Sequence, residues 1–500
     1  MTASVAAHRY APPQMGKPRS VYACTECGAQ QPRWLGRCPE CGGWSTLVEE
    51  RVAGDAEPRE RLEVAAAPAA SGGKPRRLSE IDAESVPRIE TGIAEVDRVL
   101  GGGLVPGSVV LLAGEPGVGK STLALQLAAG LPATRPVLYV AGEESPEQIR
   151  LRADRLVDPT PLAGGSLRAP SGRLHSLPET LVVLAETNVE ALAAPWRDTQ
   201  PQLVLVDSVQ TLRSDRVESA PGSVAQVREC AALLAATAKA HGAALVLVGH
   251  VTKEGAIAGP RVLEHLVDVV LQLEGDRLHA FRLLRAHKNR FGSTREVGVF
   301  QMSEGGLDAV ANPSAFFLAE RRGGAPGSCI VPILEGSRPM LVEIQALVAP
   351  AGYGTARRTA IGVDDARLAL LLAVLDRRAG VDLLNTDVYA SAVGGVRIRE
   401  PGADLALALA LASSRLDVAL PPDVAACGEV GLGGEVRRTA RLDARVAEAG
   451  RLGFRRVLVP AGARDELAAP RGVRPVPVAD VAEAVAWLRS TGVHEGEPAR

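Results

Sequence analysis

The stretch Gly114-Glu115-Pro116-Gly117-Val118-Gly119-Lys120-Ser121 constrains this chain more than any other. It matches G-x-x-x-x-G-K-[ST], the phosphate-binding loop. The apolar run 108–113 before it reads as a buried strand, and 122–129 after it as a helix. The glycines let the backbone curl its N–H groups onto an anion, and the helix N-terminus adds positive potential. In that setting Lys120 reaches the β- and γ-phosphates, the Ser121 hydroxyl sits on Mg²⁺, and Thr122 continues the loop into the helix. One domain therefore binds a nucleoside triphosphate.

Alternating strands and helices follow, which predicts an α/β fold with a mostly parallel, doubly wound sheet. Residues 136–141 form the next strand and end in Gly142-Glu143-Glu144-Ser145. A carboxylate at the carboxyl end of a strand beside the loop is placed to activate water, with Glu143 favoured and Glu144 as the alternative. Ser145-Pro146-Glu147 also opens a helix. The strand 203–207 ends in Asp207, which, in chain order after a P-loop, holds Mg²⁺. Residues 213–222 read as a long loop, 224–240 as a helix and 244–250 as another buried strand. Segments 268–274 and 278–285 alternate like two antiparallel strands, with Lys288-Asn289-Arg290-Phe291-Gly292 after the second.

Upstream, Cys24-Thr-Glu-Cys27 and Cys38-Pro-Glu-Cys41 form two knuckles whose four thiolates would converge on Zn²⁺, the alternatives being a redox dithiol pair or an iron site, with Trp34 and Trp44 expected over the small core. Seven cysteines, four of them in these pairs, suit a reducing cytosol. The expected organisation is a disordered start (1–20), a zinc module (21–48), a linker (49–77), the ATPase domain (78–322), an α+β domain (323–490) and a tail (491–500). Lys plus Arg total 56 against 58 for Asp plus Glu, so any nucleic-acid contact must be local. The longest apolar runs, 368–375 and 405–411, are too short for a bilayer, and the N-terminus shows no signal-peptide pattern. A cytoplasmic location with no membrane partner is expected.

Taken together, the four-cysteine module, the P-loop domain, the unaltered KNRFG pentapeptide at 288–292 and the C-terminal domain resemble the RadA (Sms) family of bacterial DNA-repair proteins. The resemblance covers about 24–488. It implies a RecA-like P-loop core with an N-terminal zinc ribbon-type module and a Lon-protease-like C-terminal domain. It implies a DNA-dependent ATPase, related to DnaB-type helicases, that acts as a homohexamer on single-stranded and branched DNA. Such a protein promotes branch migration after RecA strand invasion, so RecA is an implied partner. The sequence itself leaves six- and seven-membered rings open.

The resemblance favours Glu143 as the catalytic carboxylate and gives Asp207 the Walker B role. It matches Lys288 and Arg290 to a basic pair that reaches the neighbouring subunit's γ-phosphate; read alone, the two are a solvated hairpin tip. In a RecA-like ring the loops after the strands at 203–207 and 244–250 face the pore, which makes Arg213, Arg216, Lys253 and Arg261 candidates to track DNA phosphates. Lon's nucleophilic serine would fall near Ala403 and its lysine near Arg437 or Arg438, so proteolysis is not expected. The competing reading is a KaiC-like or chaperone-type ATPase acting on protein; KNRFG and the zinc module speak against it.

Overall fold

The computed structural model describes residues 19–24, 30–40, 42–52, 77, 87–131, 134–157, 174, 176–250, 263–275, 281–319, 321, 323–352, 356–463, 467–491 and 493–494. The chain divides into two compact units, residues 1–294 with 298–309 and residues 295–297 with 310–500. The division falls at 309/310. The glycine-rich stretch 323–327 lies inside the second unit, because helix Pro313–Leu318 already belongs there: its Ser314 hydroxyl accepts the Leu341 N–H at 3.0 Å.

At the N-terminus, β1 (Arg19–Cys24) pairs antiparallel with β2 (Gln30–Gln31) and β3 (Leu47–Val52). Helix α1 (Ala94–Leu100) then stops at Gly101, whose φ of 83° only glycine adopts without strain. Strand β4 (Val109–Gly114) leads into α2 (Lys120–Gly130). There follow β5 (Val137–Ala141), α3 (Pro146–Arg155), β6 (Leu181–Ala185), α4 (Ala193–Thr199), β7 (Leu203–Asp207), α5 (Val224–His241) and β8 (Ala244–His250). Last come β9 (Val269–Glu274), β10 (Phe281–Asn289), β11 (Val297–Ser303) and β12 (Gly306–Ala309).

The nine strands β4 to β12 form one sheet in the order β12-β11-β10-β9-β4-β8-β7-β5-β6. The strands from β9 to β6 run parallel, and β10 returns antiparallel on β9. Strand β4 is buried on both faces. Val110 and Leu112 join the core under α2, while Val109, Leu111 and Ala113 join the core under α5. A strand covered by helices on both sides must be apolar throughout, which is why 109–113 reads as an unbroken run.

The second unit is a seven-stranded mixed sheet with helices Asp404–Leu416 and Leu442–Arg451 packed on its central hairpin, Ser328–Glu335 with Arg338–Pro350. Ala403 is buried ahead of helix Asp404–Leu416, Arg437 pairs with Glu435, and Arg438 donates to the Gly462 carbonyl. None of these three side chains is a nucleophile or a neutral base. Among the described residues no helix is long and apolar enough to cross a membrane.

Candidate active site

Strand β4 delivers the loop to the carboxyl end of the sheet. Gly117 and Gly119 have φ of 79° and 112°. A side chain on Gly119 would meet the Met302 methyl at 2.8 Å, because β11 and β12 form the floor beneath the loop. Lys120 is 4% exposed, and its ammonium donates to the Gly114 and Glu115 carbonyls at 2.8 and 2.9 Å. Burial pushes Lys120 down to about 8, against the opposite pull of Asp207 and Glu143. The buried Arg282 donates from Nε to the Val118 carbonyl at 3.1 Å, a second cation under the loop. Curled glycines, a helix N-terminus and a buried ammonium facing two carboxylates fit a nucleoside triphosphate with Mg²⁺.

The acids arrive through strand pairing. Ala141 lies opposite Asp207 in the parallel pair of β5 and β7, so residues 142–144 adjoin the end of β7. The two glutamates are not equivalent. Glu143 accepts the Ser208 hydroxyl at 2.7 Å. Glu144 is held by the Arg152 guanidinium, Nη1 to Oε1 at 3.0 Å and Nη2 to Oε2 at 2.8 Å. Helix α3 aims Arg152 there; its start is fixed by a capping box between Ser145 and Gln148. Asp207 accepts the Tyr139 hydroxyl at 2.7 Å. Burial, and then the Asp207 charge, push the Tyr139 phenol far up, so it stays a donor. Sequence reasoning missed Tyr139, Arg152, Ser208 and Arg282. One signal was available: a tyrosine inside Val-Leu-Tyr-Val-Ala must find a partner for its hydroxyl once the strand is buried.

The pentapeptide 288–292 lies at the other end of the sheet. In β9, Leu273 is level with Gly114 and Val269 with Val110, and Asn289 of β10 pairs with Val269. Four residue steps at about 3.3 Å put Asn289 roughly 13 Å back from the start of the P-loop. The strand runs through Asn289, so Lys288 and Asn289 end a strand and do not form a hairpin tip; the β9–β10 connection is at the opposite end. The Lys288 ammonium donates to the Glu264 and Val267 carbonyls at 2.5 and 2.8 Å. Asn289 donates to the Val99 and Leu100 carbonyls, both at 3.3 Å, and so finishes α1. Phe291 packs on the core, and Gly292 lies against Leu100 and Gly101, where a Cβ would come within 3.3 Å of the Leu100 carbonyl. Arg290 alone of the five projects: its side chain is 54% exposed and pairs with Asp268 at 3.0 Å. The other oxygen of Asp268 accepts the Val109 N–H at 3.0 Å.

Of the four DNA candidates, Lys253 and Arg261 lie outside the described residues. Arg213 pairs with Asp215 at 2.7 Å, and Arg216 faces Glu190 at 3.9 Å and Glu229 at 3.7 Å. Their loop is pinned by the buried Gln226, whose amide donates to the carbonyls of Ser214, Val217 and Ser219. In the cysteine module, Cys24 and Cys38 are buried together with Leu47. The Gly42 N–H donates to the Cys38 carbonyl at 2.9 Å, the turn of a knuckle. Two thiols drawn into one core beside such a turn fit a zinc ribbon; Cys27 and Cys41 lie outside the described residues. The tryptophans do not cover that core. Trp34 and Trp44 are 56% and 73% exposed, and Arg37 stacks 5.8 Å from the Trp44 ring. Tyr22 and Leu35 pack there instead.

DNA repair protein RadA of Bacillus subtilis (strain 168) is 48% identical over 474 residues, which cover 94% of this chain and 99% of that protein. The chain belongs to the RadA family. DNA repair protein RadA of Pseudomonas aeruginosa is 47% identical over 480 residues, 94% of this chain and 99% of that protein. The same-named protein of Streptococcus pyogenes serotype M6 is 45% identical over 469 residues, 94% and 98% respectively. A family model described as an AAA domain matches residues 74–256, and one described as a rubredoxin metal binding domain matches 22–49. As a RadA-family ATPase the chain takes ATP with Mg²⁺ at the P-loop and Zn²⁺ at the cysteine module.

Proposed function

We propose that this chain is a DNA-dependent ATPase of recombinational repair. It works in the cytoplasm as a hexameric ring, related to DnaB-type helicases, on single-stranded and branched DNA, and drives branch migration after RecA-mediated strand invasion. One observation carries the ring: Arg290 sits at the end of the sheet opposite its own P-loop, so it cannot serve its own γ-phosphate and is offered to a neighbour.

Within one site, Lys120 binds and orients the phosphates. Ser121 and Asp207 hold Mg²⁺, which when bound neutralises phosphate charge. Glu143 takes the proton of the attacking water. Glu144, committed to Arg152, is the poorer base. The neighbour's Arg290 adds positive charge to the transferring phosphoryl group. Lys288, with both described contacts on carbonyls, keeps the pentapeptide in shape. Cys24, Cys27, Cys38 and Cys41 hold zinc. The C-terminal domain, Lon-like but with Ala403, Arg437 and Arg438 where catalysis needs a nucleophile and a base, serves as a non-proteolytic platform of the ring.

Phosphate release measured with and without single-stranded DNA tests this reading. Turnover is expected to rise several-fold with DNA. Turnover that ignores DNA and responds to a protein partner would replace it with the protein-directed alternative.

A further inference from the structure

We propose that Tyr139 is a positioning residue for Asp207, held in place by the Arg152–Glu144 pair, and that it sets which carboxylate oxygen faces the metal. The inference rests on the assignment of Asp207 to Mg²⁺. Tyr139 is fully buried at the middle of β5, one strand over from Asp207, and its hydroxyl lies 2.7 Å from Asp207 Oδ2. Arg152 Nη2 lies 3.3 Å from the same phenol oxygen and 3.9 Å from the same carboxylate oxygen. The guanidinium is itself held: Nη1 donates to Glu144 Oε1 at 3.0 Å, Nη2 lies 2.8 Å from Oε2, and the side chain is only 15% exposed.

Oδ2 of Asp207 is thus engaged from two sides, and among the described residues Oδ1 has no hydrogen bond. A carboxylate on a short side chain at a strand end has two near-equivalent orientations. A donor fixed on one oxygen removes that choice and leaves the other oxygen for the metal's water shell. Holding a binding group by a second layer of side chains is how metal sites gain affinity without an extra ligand.

The test is the ratio of ADP affinities measured in Mg²⁺ and in EDTA by titration of a fluorescent ADP. Affinity in EDTA reports the P-loop and the fold; the ratio reports the metal. Tyr139→Phe is expected to leave affinity in EDTA within about twofold and to lower the ratio about tenfold, as loss of a second-layer partner does elsewhere. Arg152→Lys keeps the charge but loses the fork, and is expected to lower the ratio about threefold, in the same direction. In an Asp207→Asn background, Tyr139→Phe should have no further effect. An unchanged ratio in both single variants, or an equal loss from Tyr139→Phe with and without Asp207, would overturn the inference. If Asp207→Asn itself left the ratio unchanged, the assignment of Asp207 to the metal would be the part that fails.

Discussion

Two lysines sit at opposite ends of one sheet in nearly the same local arrangement. Lys120 donates to two backbone carbonyls, Gly114 and Glu115, and Lys288 donates to two others, Glu264 and Val267. Their surroundings differ. Lys120 stands at a helix N-terminus behind the glycine loop, with Asp207 and Glu143 near enough to act on its charge. Lys288 ties the turn at 263–267 to the end of β10, and the exposed cation beside it is Arg290. A lysine on carbonyls is therefore not a functional signature by itself. What else the site could bind decides, and the two ends of this sheet are proposed to be the two halves of one active site, met across a subunit boundary.

The largest effects should come from the P-loop end. Lys120→Ala should abolish phosphate release, and Glu143→Gln should cut it by about 10²–10⁴, the usual contribution of a general base. Glu144→Gln should keep at least about a tenth of turnover, since no proton transfer is assigned to it. If Glu144→Gln were the dead variant and Glu143→Gln the active one, the assignment of the two acids would be reversed.

At the other end, Arg290→Ala should leave nucleotide affinity nearly unchanged and reduce turnover by about 10³–10⁵, as removal of an arginine finger does. Lys288→Ala should act first on stability. Two carbonyls lose their partner, at a cost of about 1–3 kcal/mol in a denaturant titration. A Lys288→Ala protein of wild-type stability and no turnover would make Lys288 a second finger.

A smaller effect separates the lysines by pH. Lys120 titrates near 8 in the protein alone, and bound phosphate must raise that value. The gain from the charged ammonium is then complete below 8 and declines as pH rises past it. ATP affinity should fall by up to about tenfold between pH 8 and pH 9. Affinity that is flat from pH 7 to 9.5 would contradict this. Smallest of all should be Arg213→Ala and Arg216→Ala. Both arginines are half-exposed and already face carboxylates, so each should change single-stranded DNA affinity by less than about threefold. A large loss from either would put that loop on the DNA.

Much of the first unit could be read in advance. Strands β4, β5, β7 and β8 are continuous apolar runs bounded by glycine, proline or aspartate, and the P-loop fixes their order. The second layer could not be read. Tyr139 and Asp207 are 68 residues apart, and only the register of β5 on β7 brings them together. The same holds for Arg282 under Val118, 164 residues away. KNRFG was recognisable as a motif, but its division of labour was not. Lysine and arginine look alike in a string, and which one projects depends on where β10 ends. The tryptophans misled because size suggests burial, whereas Trp34 and Trp44 stay exposed and, among the described residues, Tyr22 and Leu35 pack on the core of Cys24, Cys38 and Leu47.

The central claim is that each active site is shared between two subunits, and mixing tests it most directly. Lys120→Ala chains keep Arg290 and lack the P-loop lysine; Arg290→Ala chains have the reverse defect. After verified subunit exchange, some interfaces pair an intact P-loop with an intact arginine. Phosphate release should reappear in the mixture and peak near equal proportions. Two inactive proteins that stay inactive when mixed would contradict a shared site and leave KNRFG as a clamp within its own subunit.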